Sequence, residues 1–480
     1  MSARSSPGSP AASSRRPTSR PSDAEPHRDD GEDASVTTTS TDRSANHDRR
    51  VSRLGGRRWA VLALVGLVGQ IAWTVENLYL NVFVYDTITD EPRVLAAMVA
   101  ASAVAATLTT LVVGAWSDRV GRRRVFVAGG YVLWGLSTAA FGLVTVDGLA
   151  GAASVAGAVT LAVLVVIVLD CLMSVLGSGA NDAAFNAWVT DVTDSTNRGR
   201  VEAVLAAMPL LAMLLVFGGL DGLTRAGEWR AFFLVVGIAI VIVGVVAWFL
   251  MRDAAVPQQQ PDGVWRSIAF GLRPSTMRAN PALYITFSAW AVFGISTQVF
   301  LPYLIIYLQR TLRIEGYALV LGVVLLGASV VSILGGRVID RFGKVRSILP
   351  ALAIYLLGLA LMAFVRDFTW VIVAGLAMMS GFMLVVAAIG AASRDATPPD
   401  RAGSVQGLRM IFAILIPMVI GPFIGAAIIS GAGETYEELG VVKQVPTAGI
   451  FVAAAVIAVV VVIPVLALLH RERRTAAVDA

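Results

Sequence analysis

Gly114-Ala-Trp-Ser-Asp118-Arg-Val-Gly121-Arg-Arg-Arg124 and Gly336-Arg-Val-Ile-Asp340-Arg-Phe-Gly343-Lys-Val-Arg346 share one pattern, G-x-x-x-D-R-x-G-[RK]-x-R. Each stretch closes one apolar run and leads into the next. A second pair of segments repeats further along. Ala183-Ala-Phe-Asn-Ala-Trp-Val-Thr-Asp191-Val-Thr193 matches Ala387-Ala-Ile-Gly-Ala-Ala-Ser-Arg-Asp395-Ala-Thr397, and Gly199 and Val201 match Gly403 and Val405. The chain therefore reads as one unit written twice in the same direction.

The runs between these segments decide the class. Apolar stretches are expected to span 59–85, 94–116, 124–146, 157–189, 201–220 and 230–251 in the first unit. In the second they span 282–308, 317–338, 347–365, 369–392, 404–429 and 448–469. Runs of roughly 20 residues cross ~30 Å of hydrocarbon as helices. Composition agrees: 56% of the 480 residues are hydrophobic and 15% are charged, with a mean hydropathy of +0.73. A soluble domain carries about 25% charged residues, so a water-facing fold is excluded. The expectation is an all-α membrane protein, twelve transmembrane helices in two pseudo-symmetric six-helix bundles, because parallel repetition of a six-span unit marks that build.

Arginine placement orients it. Alternate loops carry Arg119/Arg122/Arg123/Arg124, Arg198/Arg200, Arg252/Arg266/Arg273/Arg278, Arg337/Arg341/Lys344/Arg346, Arg394/Arg401 and Arg471/Arg473/Arg474. Arg49, Arg50, Arg53, Arg57 and Arg58 precede the first span on the same side, while Asp86/Asp90/Glu91 and Glu434/Glu437/Glu438 lie opposite. The positive-inside rule puts both termini in the cytoplasm of a multi-pass cell-membrane protein. Residues 1–57, rich in Ser, Arg, Asp, Pro and Thr, read as a disordered cytoplasmic tail without enough apolar surface to fold. The first bundle is expected over 58–251, a cytoplasmic linker over 252–281, the second bundle over 282–470, and a short tail over 471–480.

The same composition removes several functions. The single cysteine, Cys171, can form no intramolecular disulfide, and His27, His47 and His470 lie near the chain ends. Metal, haem and Cys- or His-based chemistry lack their residues, so no metal and no cofactor is expected. The net charge of +5 rests on arginine, the only lysines being Lys344 and Lys443, and speaks to topology and not to nucleic acid. No P-loop, Ser/His set or paired carboxylates facing one side suggest an enzyme.

Loop chemistry follows from the repeat. Gly121 permits a tight reversal between two helices, and Asp118 at a helix end can pair with arginines or with a neighbouring helix N-terminus. The pattern resembles the signature loop of the major facilitator superfamily, and the resemblance covers Trp59 to His470. It implies a secondary transporter, functional as a monomer in the lipid bilayer. It also implies that Gly114, Asp118, Arg119, Gly121, Arg122 and Arg124 gate the cytoplasmic side, with Gly336, Asp340, Arg341, Gly343 and Lys344 as a second copy. Ser117-Asp-Arg, Gly121-Arg-Arg-Arg124 and Gln70-Ile-Ala-Trp73 are similar to the sucrose and glycoside:cation symporters. Residues 94–113 contain no acid, so the paired second-span aspartates of melibiose-type carriers are missing. Gly421-Pro422-Phe-Ile-Gly425 resembles the Gly-Pro motif of drug/proton antiporters, in span eleven where those carry it in span five.

Ionisable side chains inside a span are functional candidates. Glu76 lies ~27 Å of helix beyond Arg58, past the midplane. Asp170, Ser174 and Asn181 share a stripe about 100° wide on span four, with Asp182 turned aside. Gln70, Thr74, Asn77 and Asn81 form a stripe about 60° wide on span one. Both stripes are expected to line a central cavity, with Glu76 or Asp170 carrying a coupling proton. In the second half Gln298 pairs with Glu76 by the repeat, and Trp290, Tyr303 and Tyr307 could stack on a sugar; Arg409 reads as an interface anchor. The leading function is proton-coupled transport of a small organic solute, a sugar or glycoside favoured. A drug/proton antiporter and a non-transporting receptor or assembly factor are the alternatives.

Overall fold

The computed structural model describes residues 54–146, 148, 155–193, 197–253, 273–397, 402–438 and 441–478. The expected N-terminal tail and most of the linker lie outside the described residues. Among those described, twelve helices are long and apolar enough to cross a membrane. In chain order they are α1 Gly56–Thr87, α2 Pro92–Val120, α3 Arg123–Leu143, α4 Gly157–Val192, α5 Arg200–Gly219 and α6 Trp229–Leu250. The second six are α7 Pro281–Thr311, α8 Tyr317–Ile339, α9 Lys344–Phe364, α10 Phe368–Asp395, α11 Gly407–Ala432 and α12 Gly449–Arg474. Large apolar side chains are turned outward, Phe364 being 83% exposed. In water that surface would aggregate; in a bilayer it meets acyl chains.

The repeated loops end their helices in the same way. Gly121 (φ 65°) follows α2 and Gly343 (φ 97°) follows α8, both in the half of φ space that L side chains avoid. Within each half, small residues let backbones touch. A Cβ on Gly135 of α3 would lie 2.5 Å from the carbonyl oxygen of Gly237 on α6, and the reverse holds at Gly237. Gly358 of α9 lies against the Met378 backbone of α10, and Gly381 of α10 against the Tyr355 backbone of α9. Between the halves, α2 packs along α11 and α5 meets α8.

Several helices are interrupted. π-helical turns occupy Val75–Tyr79 in α1, Ser178–Phe185 in α4, Tyr307–Thr311 in α7 and Ile411–Leu415 in the α11 region. Such turns widen the helix and gather at functional sites. The repeat pairs Val75–Tyr79 with a place in α7 just before a 3₁₀ turn at Leu301–Tyr303, so the first helix of each half is broken near the same depth.

One element was not foreseen from the sequence. The acidic loop between α11 and α12 forms an antiparallel hairpin, β1 Thr435–Glu438 with β2 Val441–Gln444.

Candidate functional site

The π turn of α1 brings Glu76 to face α4, where Ser174 donates a hydrogen bond to Glu76 Oε1 at 2.5 Å. Asp170 sits one turn away from Ser174 on the same face of α4. Glu76, Ser174 and Asp170 are all buried. Ser102 of α2 faces Asp170, and the carboxylates of Asp170 and Asp182 are within electrostatic reach of Glu76. Glu76 Oε2 and Asp170 Oδ1 are buried without a hydrogen-bond partner in the protein. Two carboxylates from two helices thus lie buried within electrostatic reach of each other.

Asn181 and Asp182 lie in the π turn of α4. Asn181 Nδ2 donates to Asp182 Oδ1 at 3.1 Å, and Tyr131 of α3 donates to Asn181 Oδ1 at 2.9 Å and to Val65 O of α1 at 2.8 Å. Three helices cross here because residue 69 is glycine. A Cβ there would sit 2.5 Å from the Tyr131 hydroxyl and 2.7 Å from Asn181 Oδ1. Asn181 therefore holds α4 to α3 through Tyr131.

The stripe expected on α1 divides. Thr74 Oγ1 donates to Gln70 O at 2.8 Å, Asn77 Nδ2 to Trp73 O at 2.8 Å and Asn81 Nδ2 to Asn77 O at 2.9 Å. These donors return to the helix's own backbone. Thr74 and Asn81 are buried, Gln70 is half-buried and Asn77 is exposed, so the four do not present a single open surface.

In the second half, Gln298 is half-buried on α7, against Gly421 of α11. Tyr303 departs from the expected cavity role. Its hydroxyl donates to Pro422 O of α11 at 2.9 Å and to Pro92 O of α2 at 3.1 Å, tying the halves together. Tyr303 closes the 3₁₀ turn Leu301–Tyr303, which aims its hydroxyl at this seam. Tyr307 packs on Phe451 of α12, ring centroids 5.0 Å apart.

The repeated loops tie each half to itself. Arg123 reaches Asp118 Oδ1 at 2.5 Å, Ser117 Oγ at 2.6 Å and Asp191 Oδ2 at 3.2 Å. In the second half Lys344 pairs with Asp395 at 2.5 Å. The aspartates of the second repeat are thus held by the cations of the first, in both copies. Arg123, which the family resemblance did not single out beside Arg122 and Arg124, is the residue that joins the loop to α4. Arg124 instead lies over Trp248, 4.6 Å from its ring centroid, and its N–H donates to Asp253 Oδ1 at 2.8 Å. Arg122 is exposed, as are Arg119 and Arg341; Gly114 and Gly336 have room around them.

Bonds between the halves are found at the opposite, arginine-poor face. Tyr79 of α1 donates to Asp221 Oδ1 at 3.0 Å, Tyr317 of α8 donates to the same oxygen, and Arg225 pairs with Asp221 Oδ2 at 2.8 Å. Asp221, in a short helix after α5, is fully buried. Arg310 of α7 bonds Asp86 at 2.8 Å. The hairpin adds a latch: Gln444 N donates to Asp90 Oδ2 at 2.6 Å, Tyr85 donates to Gln444 O at 2.6 Å, and Lys443 donates to Asp86 O at 3.1 Å. Beneath the seam lies an apolar cavity of ≈ 60 Å³, lined among others by Leu78, Met213, Phe217, Leu304, Met378 and Met379.

The whole arrangement has known counterparts. Over about 85% of this chain and 98% of its own, a single-residue variant of the nucleoside transporter NupG superposes with a TM-score of 0.64 at 14% identity. A bacterial homolog to the human lysosomal transporter Spinster, inward-facing and unoccupied, covers 86% of this chain and 96% of its own, with a TM-score of 0.63 at 16% identity. No curated protein matches in sequence. The family model described as Major Facilitator Superfamily matches residues 62–412 and 299–480. With twelve spans, a duplicated loop and that match, the chain belongs to the Major Facilitator Superfamily, a family of non-enzymatic membrane transporters of small molecules.

Proposed function

We propose that the chain is a proton-coupled secondary transporter that moves a small organic solute by alternating access, with a sugar or glycoside favoured. The observation that carries this reading is the burial of Glu76, bonded to Ser174, within electrostatic reach of the buried Asp170. Ionisable groups inside a span are costly to keep and mark substrate or proton paths. Two carboxylates with a bare oxygen each, both in the first half, make a place where a proton can rest inside that bundle.

The positive-inside rule supports a plasma-membrane orientation with both termini in the cytoplasm. The hairpin then lies outside, the bonded seam closes the outer side, and the path opens towards the cytoplasm. The halves, 58–251 and 282–470, rock as units joined by the linker 252–281, and a single chain suffices. The methionine-lined apolar cavity favours a second reading, a proton antiporter exporting lipophilic compounds, since flexible thioethers adapt to varied apolar ligands.

Reconstitution into liposomes containing a pH-sensitive dye tests both. A saccharide or glycoside is expected to drive proton movement that Glu76→Gln or Asp170→Asn abolishes. Proton movement driven by lipophilic cations alone would transfer the assignment to the exporter. Undiminished coupling in both variants would remove the carboxylates from the mechanism.

A further inference from the structure

The two halves differ in the charge carried inside their spans. In the first, the acids Glu76, Asp170 and Asp182 lie within α1 and α4. The repeat pairs them with Gln298, Ala374 and Val386, none of which is charged. In the second half, Arg409 lies two residues inside the first residue of α11, and its repeat partner is Leu205. Its neighbours are as asymmetric: Trp290 of α7 pairs with Val68, and Arg394 of α10 with Thr190.

These three side chains converge. The Arg409 guanidinium sits over the Trp290 ring, 5.3 Å from its centroid, and Arg394 is close enough to act on it electrostatically. A Cβ on Gly390 would lie in ordinary contact with both, 3.6 Å from the Trp290 ring and 3.8 Å from an Arg394 guanidinium nitrogen, so the two side chains flank the same point of α10. Neither arginine has an acidic partner among the described residues. Arg310, the arginine of α7, is bonded to Asp86. Arg409 is half-buried and Arg394 exposed, at the arginine-rich end where the bonds of the repeated loops stay within each half.

Two like charges brought together repel each other, and withdrawing one of them from solvent without a counterion adds to the cost. A guanidinium stacked on an indole keeps its edge free to bind an oxyanion through two parallel hydrogen bonds. We infer that Trp290, Arg394 and Arg409 form a binding point for an oxyanionic group of the transported solute, a carboxylate or a phosphate ester, whose body rests beside the indole. The inference rests on the transporter reading of the same molecule and gives its substrate a charge. The acids of the first half then handle protons while the cations of the second hold the solute.

Phenyl β-D-glucuronide and phenyl β-D-glucoside differ in the carboxylate and share the rest. Binding of each to the purified full-length protein is read by thermal stabilisation, which requires no transport. The glucuronide is expected to stabilise the wild type and the glucoside to do so far less. Arg409→Gln should weaken glucuronide binding about ten- to hundred-fold. Arg409→Lys should recover part of it, and the unliganded midpoints of both variants check that they fold. Equal stabilisation by the two compounds, stabilisation by neither, or unchanged glucuronide binding in Arg409→Gln overturns the inference. Proton movement in liposomes judges the transporter reading separately, so a protein that couples protons but ignores the carboxylate leaves that reading standing and this one refuted.

Discussion

Tyr79 and Tyr317 converge from opposite halves on a single oxygen, Asp221 Oδ1. The acceptor belongs to the first half and is fully buried, so this shared carboxylate exists only while the arginine-poor face is shut. Tyr317→Phe removes the donor from the second half and leaves Tyr79 and Arg225 in place. Loss of one hydrogen bond to a charged group should shift the molecule by about 1–3 kcal/mol towards the form open on that face. The check is labelling of Leu78→Cys in a Cys171→Ser background with an impermeant maleimide, since Leu78 lines the cavity beneath the seam. An unchanged labelling rate would show that the tyrosine does not hold the seam.

Glu76 and Ser174 separate stability from coupling. Ser174→Ala leaves Glu76 Oε1 without its donor and should lower stability by about 1–3 kcal/mol. Glu76→Gln keeps an acceptor of the same shape for Ser174, so thermal unfolding should change by less than about 1 kcal/mol while proton movement disappears. A large fall in the midpoint of Glu76→Gln would mean that the carboxylate is structural.

The crossing at Gly69 predicts a non-additive pair. Gly69→Ala drives a methyl against the Tyr131 hydroxyl and Asn181, and overpacking of this kind costs about 1–3 kcal/mol. Tyr131→Phe removes one of the two obstacles, so the double variant should be more stable than the sum of the single changes. Thermal midpoints of the four proteins measure it, and simple additivity would place the strain elsewhere.

Three consecutive arginines are expected to behave unequally. Arg123→Gln strips Ser117, Asp118 and Asp191 of a common partner and should cost more than about 1 kcal/mol. Arg122→Gln, at an exposed position, should stay within about 0.5 kcal/mol. Similar losses for the two would argue that net loop charge, and not the Arg123 bonds, is what the motif supplies.

The helical frame was legible because hydrocarbon thickness dictates run length: the span read as 282–308 is found as Pro281–Thr311. The doubled loop was legible for a related reason, since glycine with positive φ is needed at both helix ends. The acids Glu76 and Asp170 stood out by their cost in a membrane, but the bond from Ser174 to Glu76 involves a π turn that alters the helical phase. Phase also hid Arg123, because only the orientation after Gly121 decides which of three arginines reaches Asp191. The position of Tyr303 was hidden for the converse reason. Its chemistry fitted a binding site, while a partner helix from the other half fixed its hydroxyl. Asp221 and the hairpin could not be read at all, since four-residue strands and a loop carboxylate take their roles from partners far away in the chain.

At Gln444 the latch uses only main-chain atoms, the N–H towards Asp90 and the carbonyl towards Tyr85. A closure built from the peptide unit is blind to the side chain that the residue carries. Most exchanges at 444 should leave it working, whereas proline, which has no N–H, would silence half of it. Position 444 is therefore free to vary without loosening the latch, whereas its neighbour Lys443, which holds Asp86 O through its side chain, is not.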